Sequence, residues 1–357
     1  MIAIISDVHK GLYWKGRKRD DVLAALHYAF ELSRASAEVN AVVITGDLFH
    51  SNAPTPADVG ELIGALYMLE SSGIDTYLLS GNHDVRRSNS ALYPFTQILY
   101  EHIRIIEEPC VLEVDGAECL FVPYQLKYDK DKLKTLADSM CKRGLGFGHA
   151  MVAGSFVKGL GILPKDQELT LPAALIDHPN IARWYVGHIH EPQVIGKVII
   201  PGSIVCSDVS EVDQEKYLWQ QCTENLDLVP ERIPITAGWL FKRVDLDFAS
   251  DEEKAKAEYQ ALLEGTLIDT SSHVLTIRIT MRPEQISLID YVALKALDFP
   301  IIDIPSPTVI RHHEQRVKEI TVTTNKEAAV TAFVQKVCPE VLRERAAKVA
   351  AEIMQGV

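Results

Sequence analysis

Thr76-Tyr77-Leu78-Leu79-Ser80-Gly81-Asn82-His83-Asp84 is the stretch that decides the fold. Thr76–Ser80 reads as a short buried strand, and Gly81 lets the chain turn sharply as it leaves. Asn82, His83 and Asp84 then collect where a sheet meets its loops, the usual place for ligands in open α/β sheets. Asn82 offers a neutral oxygen, His83 a proton near physiological pH, and Asp84 a charge to orient its neighbours. Alone, the motif is equally an Asx-type turn carrying a surface histidine. The rest of the chain decides between the two.

The same unit stands twice upstream. Residues 2–5 form an apolar strand followed by Ser6-Asp7-Val8-His9. Asp7 and His9 are two apart and share a side if strand geometry persists. Ala41-Val42-Val43-Ile44 ends in Thr45-Gly46-Asp47-Leu48-Phe49-His50, which puts Asp47 just beyond a second strand. Helical periodicity fills the gaps: Val22, Leu26, Ala29 and Phe30 share one face over Asp20–Ala35, and Val59, Leu62, Ile63, Leu66 and Leu69 line Thr55–Ser71. Strand, helix, strand, helix, strand indicates βαβ units.

Downstream, a helix is expected over Ser90–His102, then strands at Cys110–Val114 and Cys119–Pro123 about an Asp115-Gly116 turn. Leu145-Gly146-Phe147-Gly148-His149 and Arg183-Trp184-Tyr185-Val186-Gly187-His188-Ile189-His190 read as further strands ending in histidine. The glycines at 144, 146 and 148 hint at a nucleotide loop, but no lysine follows to make a Walker loop. A polar, Pro-rich stretch marks a boundary, giving a catalytic domain over 1–230 and a smaller α/β cap over 238–323. In the cap, helices are expected near Asp251–Glu264 and Glu284–Leu297, and strands near Trp239–Leu246, His273–Met281, Ile301–Ile304 and Val317–Val322. His312-His313 faces two ways on a strand and reads as surface. Residues 325–357 read as two amphipathic helices, with Val330, Phe333, Val334 and Val337 on one and Leu342, Ala346, Val349 and Ile353 on the other. Each needs a surface to bury its stripe, either the cap or a partner.

The 357 residues are 47% hydrophobic, enough for a sizeable core. No apolar run approaches the roughly 20 residues of a membrane span, and the first residues are a strand, not a secretory leader. The six cysteines form no CxxC pair, which argues against a zinc ribbon or a disulfide framework and for a reducing cytoplasm, or the host cytoplasm if the source is a virus. A net charge of −13 disfavours a generally sticky nucleic-acid binder. Yet Lys10-Gly11-Leu12-Tyr13-Trp14-Lys15-Gly16-Arg17-Lys18-Arg19 concentrates basic and aromatic residues beside Asp7 and His9. It is either a solvated loop or a phosphate-backbone contact with base stacking; Arg86 and Arg87 are further basic candidates.

Asp7/His9, Asp47, Asn82/His83, His149 and His188/His190 thus each stand at an expected strand end. Core packing gives no reason to place Asp, Asn and His at every one. Mixed oxygen and nitrogen donors without thiolate suit manganese, iron or zinc in a hydrolytic site. Seven ligands fit two ions sharing a carboxylate, and Asp47 on the central strand is the natural bridge. Two ions roughly 4 Å apart can activate a water and clamp a phosphoryl group.

DxH, GD, GNHD, GH and GHxH together resemble the signature of the calcineurin-like metallophosphoesterases. Within that superfamily Gly46-Asp47-Leu48-Phe49-His50, Gly148-His149-Ala150-Met151-Val152-Ala153-Gly154 and Pro201-Gly202-Ser203, with Glu211 beyond, look like the SbcD-type nuclease of the DNA double-strand-break repair complex. The resemblance implies a β-sandwich flanked by helices, two divalent ions (manganese), and hydrolysis of DNA phosphodiesters as exonuclease and endonuclease. It implies that Asp7, His9 and His190 hold one ion and Asn82, His149 and His188 the other, with Asp47 between. His83 would protonate the leaving oxygen, Asp84 would orient His83, and His50 would lie near the scissile phosphate. It also implies an SbcC-type ABC ATPase partner with a coiled coil, docked by the C-terminal helices. Homodimerisation through helices near Pro56–Ser71 and Leu92–His102 follows from it too. The position after DxH, often leucine in relatives, is Lys10 here. The competing expectations are a small-substrate phosphodiesterase or protein phosphatase on the same fold, and a non-catalytic scaffold.

Overall fold

The computed structural model describes residues 1–86, 89–98, 100–157, 161–162, 170–212, 214–239, 241–267 and 274–310. In chain order its principal elements are β1 (Ile2–Ile5), α1 (Asp21–Ala35), β2 (Ala41–Ile44), α2 (Pro56–Glu70), β3 (Asp75–Leu79), β4 (Ile103–Ile106), β5 (Cys110–Val114), β6 (Ala117–Val122), α3 (Lys130–Ser139), β7 (Gly144–His149), β8 (Ile181–Gly187), β9 (Gln193–Ile195), β10 (Val198–Ile200), β11 (Tyr217–Gln221) and β12 (Glu231–Pro234). They form two six-stranded sheets, ordered β12-β11-β1-β2-β3-β4 and β9-β10-β8-β7-β6-β5. β1, β2, β3 and β4 run parallel, as do β6, β7, β8 and β10. This is the helix-flanked α/β sandwich that the sequence resemblance implies.

Period-two alternation builds the sandwich. Ile2, Ile4, Val43, Tyr77 and Leu79 face the second sheet, while Ala3, Ile5, Val42, Ile44 and Leu78 lie under the apolar stripes of α1 and α2. Between the sheets, Tyr77, Phe121, Phe147 and Tyr185 stack in succession at 5.5, 5.3 and 5.7 Å. The glycines of β7 are explained by packing rather than by nucleotide: a Cβ on Gly146 would fall 2.3 Å from the Trp184 ring. Asp115 and Gly116 both take positive φ, 47° and 76°, as a tight two-residue hairpin turn requires.

Two helical expectations fail for identifiable reasons. Over Ser90–His102 only one helical turn forms among the described residues, Tyr93–Thr96. Further on, the Glu70 carboxylate takes the N–H groups of Glu101 and His102 at 2.7 and 3.0 Å, and the chain enters the sheet as β4. Over Glu284–Leu297 a 3₁₀ segment, Pro283–Leu288, gives way to a separate helix, Tyr291–Lys295. The Asp290 carboxylate caps that restart, accepting from Val292 and Ala293.

The chain divides into two compact units. One comprises Met1–Val244 with Asp269–Ile277 and Asp298–Ile304; the other comprises Asp245–Ile268, Arg278–Leu297 and the chain from Pro305. The expected strand over Val317–Val322, the His312-His313 pair and the C-terminal helices lie outside the described residues. Among the described residues no helix is long and apolar enough to cross a membrane.

Candidate metal centre

The site gathers at the C-terminal ends of β1, β2, β3, β7 and β8. Asp7, His9, Asp47 and His188 have φ of 49°, 54°, 50° and 102°. They are four of only six non-glycine residues in this region among those described. Strand geometry therefore does not persist through Asp7 and His9; left-handed turns aim the ligands instead. Such backbone strain clusters at functional sites. Gly81 is obligatory, since a Cβ there would lie 2.1 Å from Asp47 Oδ1.

Three groups of donors result; one is all imidazole, His9, His50 and His83, and the other two carry a carboxylate. Asp7, His9 and His190 present ligand atoms within 4.8 Å of one another, and so do Asp47, His149 and His188. Asn82 Oδ1 joins the latter group, 2.9 Å from His149 Nε2 and 2.8 Å from His188 Nδ1. Asp47 Oδ1 accepts the backbone N–H of His83 at 2.8 Å. Its other oxygen, Oδ2, lies 3.4 Å from His149 Nε2 and 3.8 Å from His9 Nε2. One carboxylate oxygen thus looks into both carboxylate-bearing groups. His188 and His190, two residues apart, part company, one to each group.

The donor set fits divalent cations. His9 Nε2 and His190 Nε2 stand 3.0 Å apart, the spacing of two nitrogens about 2.1 Å from one ion at a right angle. Burial, then His190, lowers the pKa of His9 well below the usual value. Burial, then His149, lowers His188 to about 4. Both rings are therefore neutral, with lone pairs available. Burial opposes charge on His149, but Asp47 and Asp7 outweigh it and raise its pKa to about 9. Burial works against ionised Asp47, yet His149 and His9 hold it well below the carboxylate range. A cation entering between them displaces a proton, as metal binding commonly does.

Supporting contacts fix the rings. His149 Nδ1 donates to the Thr45 carbonyl at 2.8 Å, leaving Nε2 toward the ligands. Ser6 Oγ donates to Asp7, whose carboxylate also accepts the His188 N–H at 3.1 Å. His190 Nδ1 meets Glu211 Oε1 at 2.9 Å. Ser6 and Thr45 carry no signal in the sequence beyond adjacency to Asp7 and Asp47.

His83 lies edge-on to His9, ring centroids 4.9 Å apart, and stacks on His50 at 5.5 Å. Its Nδ1 donates to the His50 carbonyl at 2.8 Å, which leaves Nε2 toward the site. The expectation that Asp84 orients the His83 ring is corrected. Asp84 is fully buried, and its oxygens accept the N–H groups of Leu48, Phe49 and Gly81 at 3.1, 2.8 and 2.9 Å. Asp84 holds two ligand-bearing loops together; the carbonyl of His50 orients His83. Burial and the neighbouring Asp47 push the Asp84 pKa up to about 7, against those three donors.

The basic loop is also corrected. It forms a hairpin, Tyr13–Trp14 with Arg17–Lys18. Lys10 is buried, its Nζ 3.0 Å from Asp58 and 2.5 Å from Glu61. Arg19 is buried too, bidentate to Asp21 at 2.7 Å through Nε and Nη2 and stacked on Trp239. Neither can reach a phosphate. Lys15 pairs with Asp303, and Lys18 with the same Asp58 at 3.0 Å. Arg17 is exposed. Val85–Arg86 pairs antiparallel with Asn89–Ser90, and Arg87 is outside the described residues.

A profile of the calcineurin-like phosphoesterases matches residues 1–192, and the chain belongs to that family. It is accordingly a metallophosphoesterase, a hydrolase of phosphoesters whose family uses a dinuclear metal centre. Among curated proteins it is similar to the DNA double-strand break repair protein Mre11 of Archaeoglobus fulgidus, 26% identical over 238 residues, covering 59% of this chain and 52% of that one. It is also similar to the protein of the same name from Nanoarchaeum equitans, 23% identical over 273 residues, covering 69% and 72%. The chain spans about half the length of the Archaeoglobus relative. A solved dimetal phosphatase from Danio rerio is similar at 14% identity over 57% of this chain and 87% of that one, TM-score 0.41.

Proposed function

We propose that this chain is a two-metal DNA nuclease that cleaves phosphodiester bonds as exonuclease and endonuclease in double-strand-break repair, beside an SbcC-type ABC ATPase. The observation that carries the phosphodiesterase chemistry is Asp47 Oδ2, within 3.8 Å of imidazoles from both donor groups. The step from phosphodiesterase to DNA rests on the two relatives named for double-strand break repair.

Asp7, His9 and His190 hold one ion and Asn82, His149 and His188 the other, with Asp47 shared. Bound manganese supplies Lewis acidity and an activated water. His83, anchored through Nδ1 to the His50 carbonyl, carries its catalytic proton at Nε2 and gives it to the leaving oxygen. Burial, then His83, lowers the His50 pKa, so its ring is a neutral wall beside His83. Arg17 is the hairpin's contact for phosphate, since Lys15 and Lys18 are engaged with Asp303 and Asp58. Arg86 and Arg87, next along the chain from Asn82–Asp84, are further candidates. Residues 325–357 dock the ATPase.

The test is manganese-dependent digestion of linear and hairpin DNA beside a chromogenic phosphodiester. Cleavage of both is expected; turnover of the small ester alone would overturn the nuclease reading. One observation favours that second reading, a small-substrate phosphodiesterase: the basic hairpin spends most of its charge on Asp58, Glu61, Asp21 and Asp303. For the partner, deletion of residues 340–357 should abolish ATPase binding in a pull-down and leave manganese-dependent cleavage intact. Unfolding of that truncated chain would instead assign the segment to the protein's own core.

A further inference from the structure

Lys216 immediately precedes β11, the antiparallel neighbour of β1 in the first sheet. It is 6% exposed, and its Nζ is ringed by four acceptors. These are Ser203 Oγ at 2.8 Å, Glu211 Oε2 and Gln214 Oε1 at 2.9 Å, and the His190 carbonyl at 3.1 Å. The three N–H donors of Lys216 are shared among the four. Glu211, also buried, is saturated as an acceptor. Lys216 and the Ser207 N–H reach Oε2 at 2.9 and 3.2 Å, and Ser207 Oγ and His190 Nδ1 reach Oε1. With Glu211 an anion, His190 Nδ1 is the donor, which turns its Nε2 toward His9 Nε2 at 3.0 Å.

We propose that Lys216 and Glu211 form a charge-balanced clamp that positions His190 and sets the affinity of the Asp7–His9–His190 ion independently of the other ion. Lys216 grips the backbone of His190 directly and its ring through Glu211. The clamp joins the two sheets at the ion: the first sheet delivers Asp7, His9 and Lys216, and His190 follows β8 of the second. Nothing equivalent backs the other group among the described residues, where His149 leans on the neutral Thr45 carbonyl. A carboxylate behind a ligating imidazole raises its basicity and fixes its tautomer. Lys216 tempers that carboxylate, so the pair tunes one ion and leaves the other untouched. Both residues are positioning residues, since neither touches the reacting atoms.

The clamp rests on the two-ion reading of the site, and it is tested by metal binding rather than turnover. The metal-free full chain is titrated with manganese by calorimetry, with electron paramagnetic resonance counting bound ions. Glu211→Gln should weaken one of the two sites about 10–100-fold and leave the second at its original affinity. The double variant Lys216→Gln/Glu211→Gln keeps a neutral hydrogen-bonded network and should behave alike, which guards against misfolding of either single change. Two sites of unchanged affinity in a folded variant, or equal weakening of both, would overturn the clamp. A chain that binds two ions but cleaves no DNA would sink the nuclease reading and leave the clamp standing.

Discussion

Asp84→Asn separates a scaffolding carboxylate from one that steers a catalytic ring. Asp84 Oδ2 accepts from Leu48 and Gly81, and Oδ1 from Phe49. Complete removal by Asp84→Ala strands three buried N–H groups at roughly 1–3 kcal/mol each. That is a large share of the roughly 5–15 kcal/mol holding a domain together, so such a chain is a poor test. Asparagine retains one acceptor oxygen. Turned to serve Leu48 and Gly81, it sets its amide against the Phe49 N–H and strands one donor, a cost of about 1–3 kcal/mol. At roughly 2–4 °C per kcal/mol the melting temperature of the metal-free chain should fall by about 2–12 °C. The His83 ring, tied to the His50 carbonyl, feels no lost charge through a hydrogen bond. The alkaline limb of the pH–rate profile for a phosphodiester should then stay in place while turnover declines. Thermal unfolding followed by circular dichroism and the pH–rate profile decide the matter together. An unchanged melting temperature with a displaced alkaline limb would show that Asp84 acts on His83 after all.

His83→Ala should retain both ions and lose about 10²–10⁴-fold in turnover; loss of metal in that variant would make His83 a ligand. Asp47→Ala removes the oxygen facing both groups, so metal analysis should find both sites depleted, and two filled sites would refute the bridge. Gly81→Ala places a Cβ 2.1 Å from Asp47 Oδ1 and should likewise deplete both; a fully metallated variant would mean the loops yield easily. Arg17→Ala should flatten the salt dependence of DNA binding by about 0.9 in slope, whereas Lys18→Ala, engaged with Asp58, should change it little. Equal losses from both would show that the lysine's ion pair opens on DNA.

What could be read from the sequence is what lies adjacent along the chain. Asp7, Asp47 and Asn82 each follow a short apolar run, so strand ends and polar ligands are visible together. What could not be read depends on distant partners. Gly146 makes sense only beside Trp184, and Gly144 only beside the Glu118 carbonyl. The helix expected over Ser90–His102 has suitable periodicity and still loses two amides to Glu70. Lys10 and Arg19 show positive charge, but the carboxylates that absorb it are only apparent once α2 packs across Lys10 and Asp21 folds back on Arg19. Lys216 is the opposite case. It has no motif and no periodicity, yet four acceptors converge on it. In a chain with 49 acidic and 36 basic residues, a buried cation seldom lacks a carboxylate, and burying the pair is tolerable only when both partners are fully hydrogen-bonded. A basic cluster in such a chain is therefore no measure of affinity for phosphate until its internal partners are known. By that measure Lys10 and Arg19 belong to the scaffold. The proposal of a DNA substrate then rests on the two relatives, and the exposed Arg17 is where it is tested.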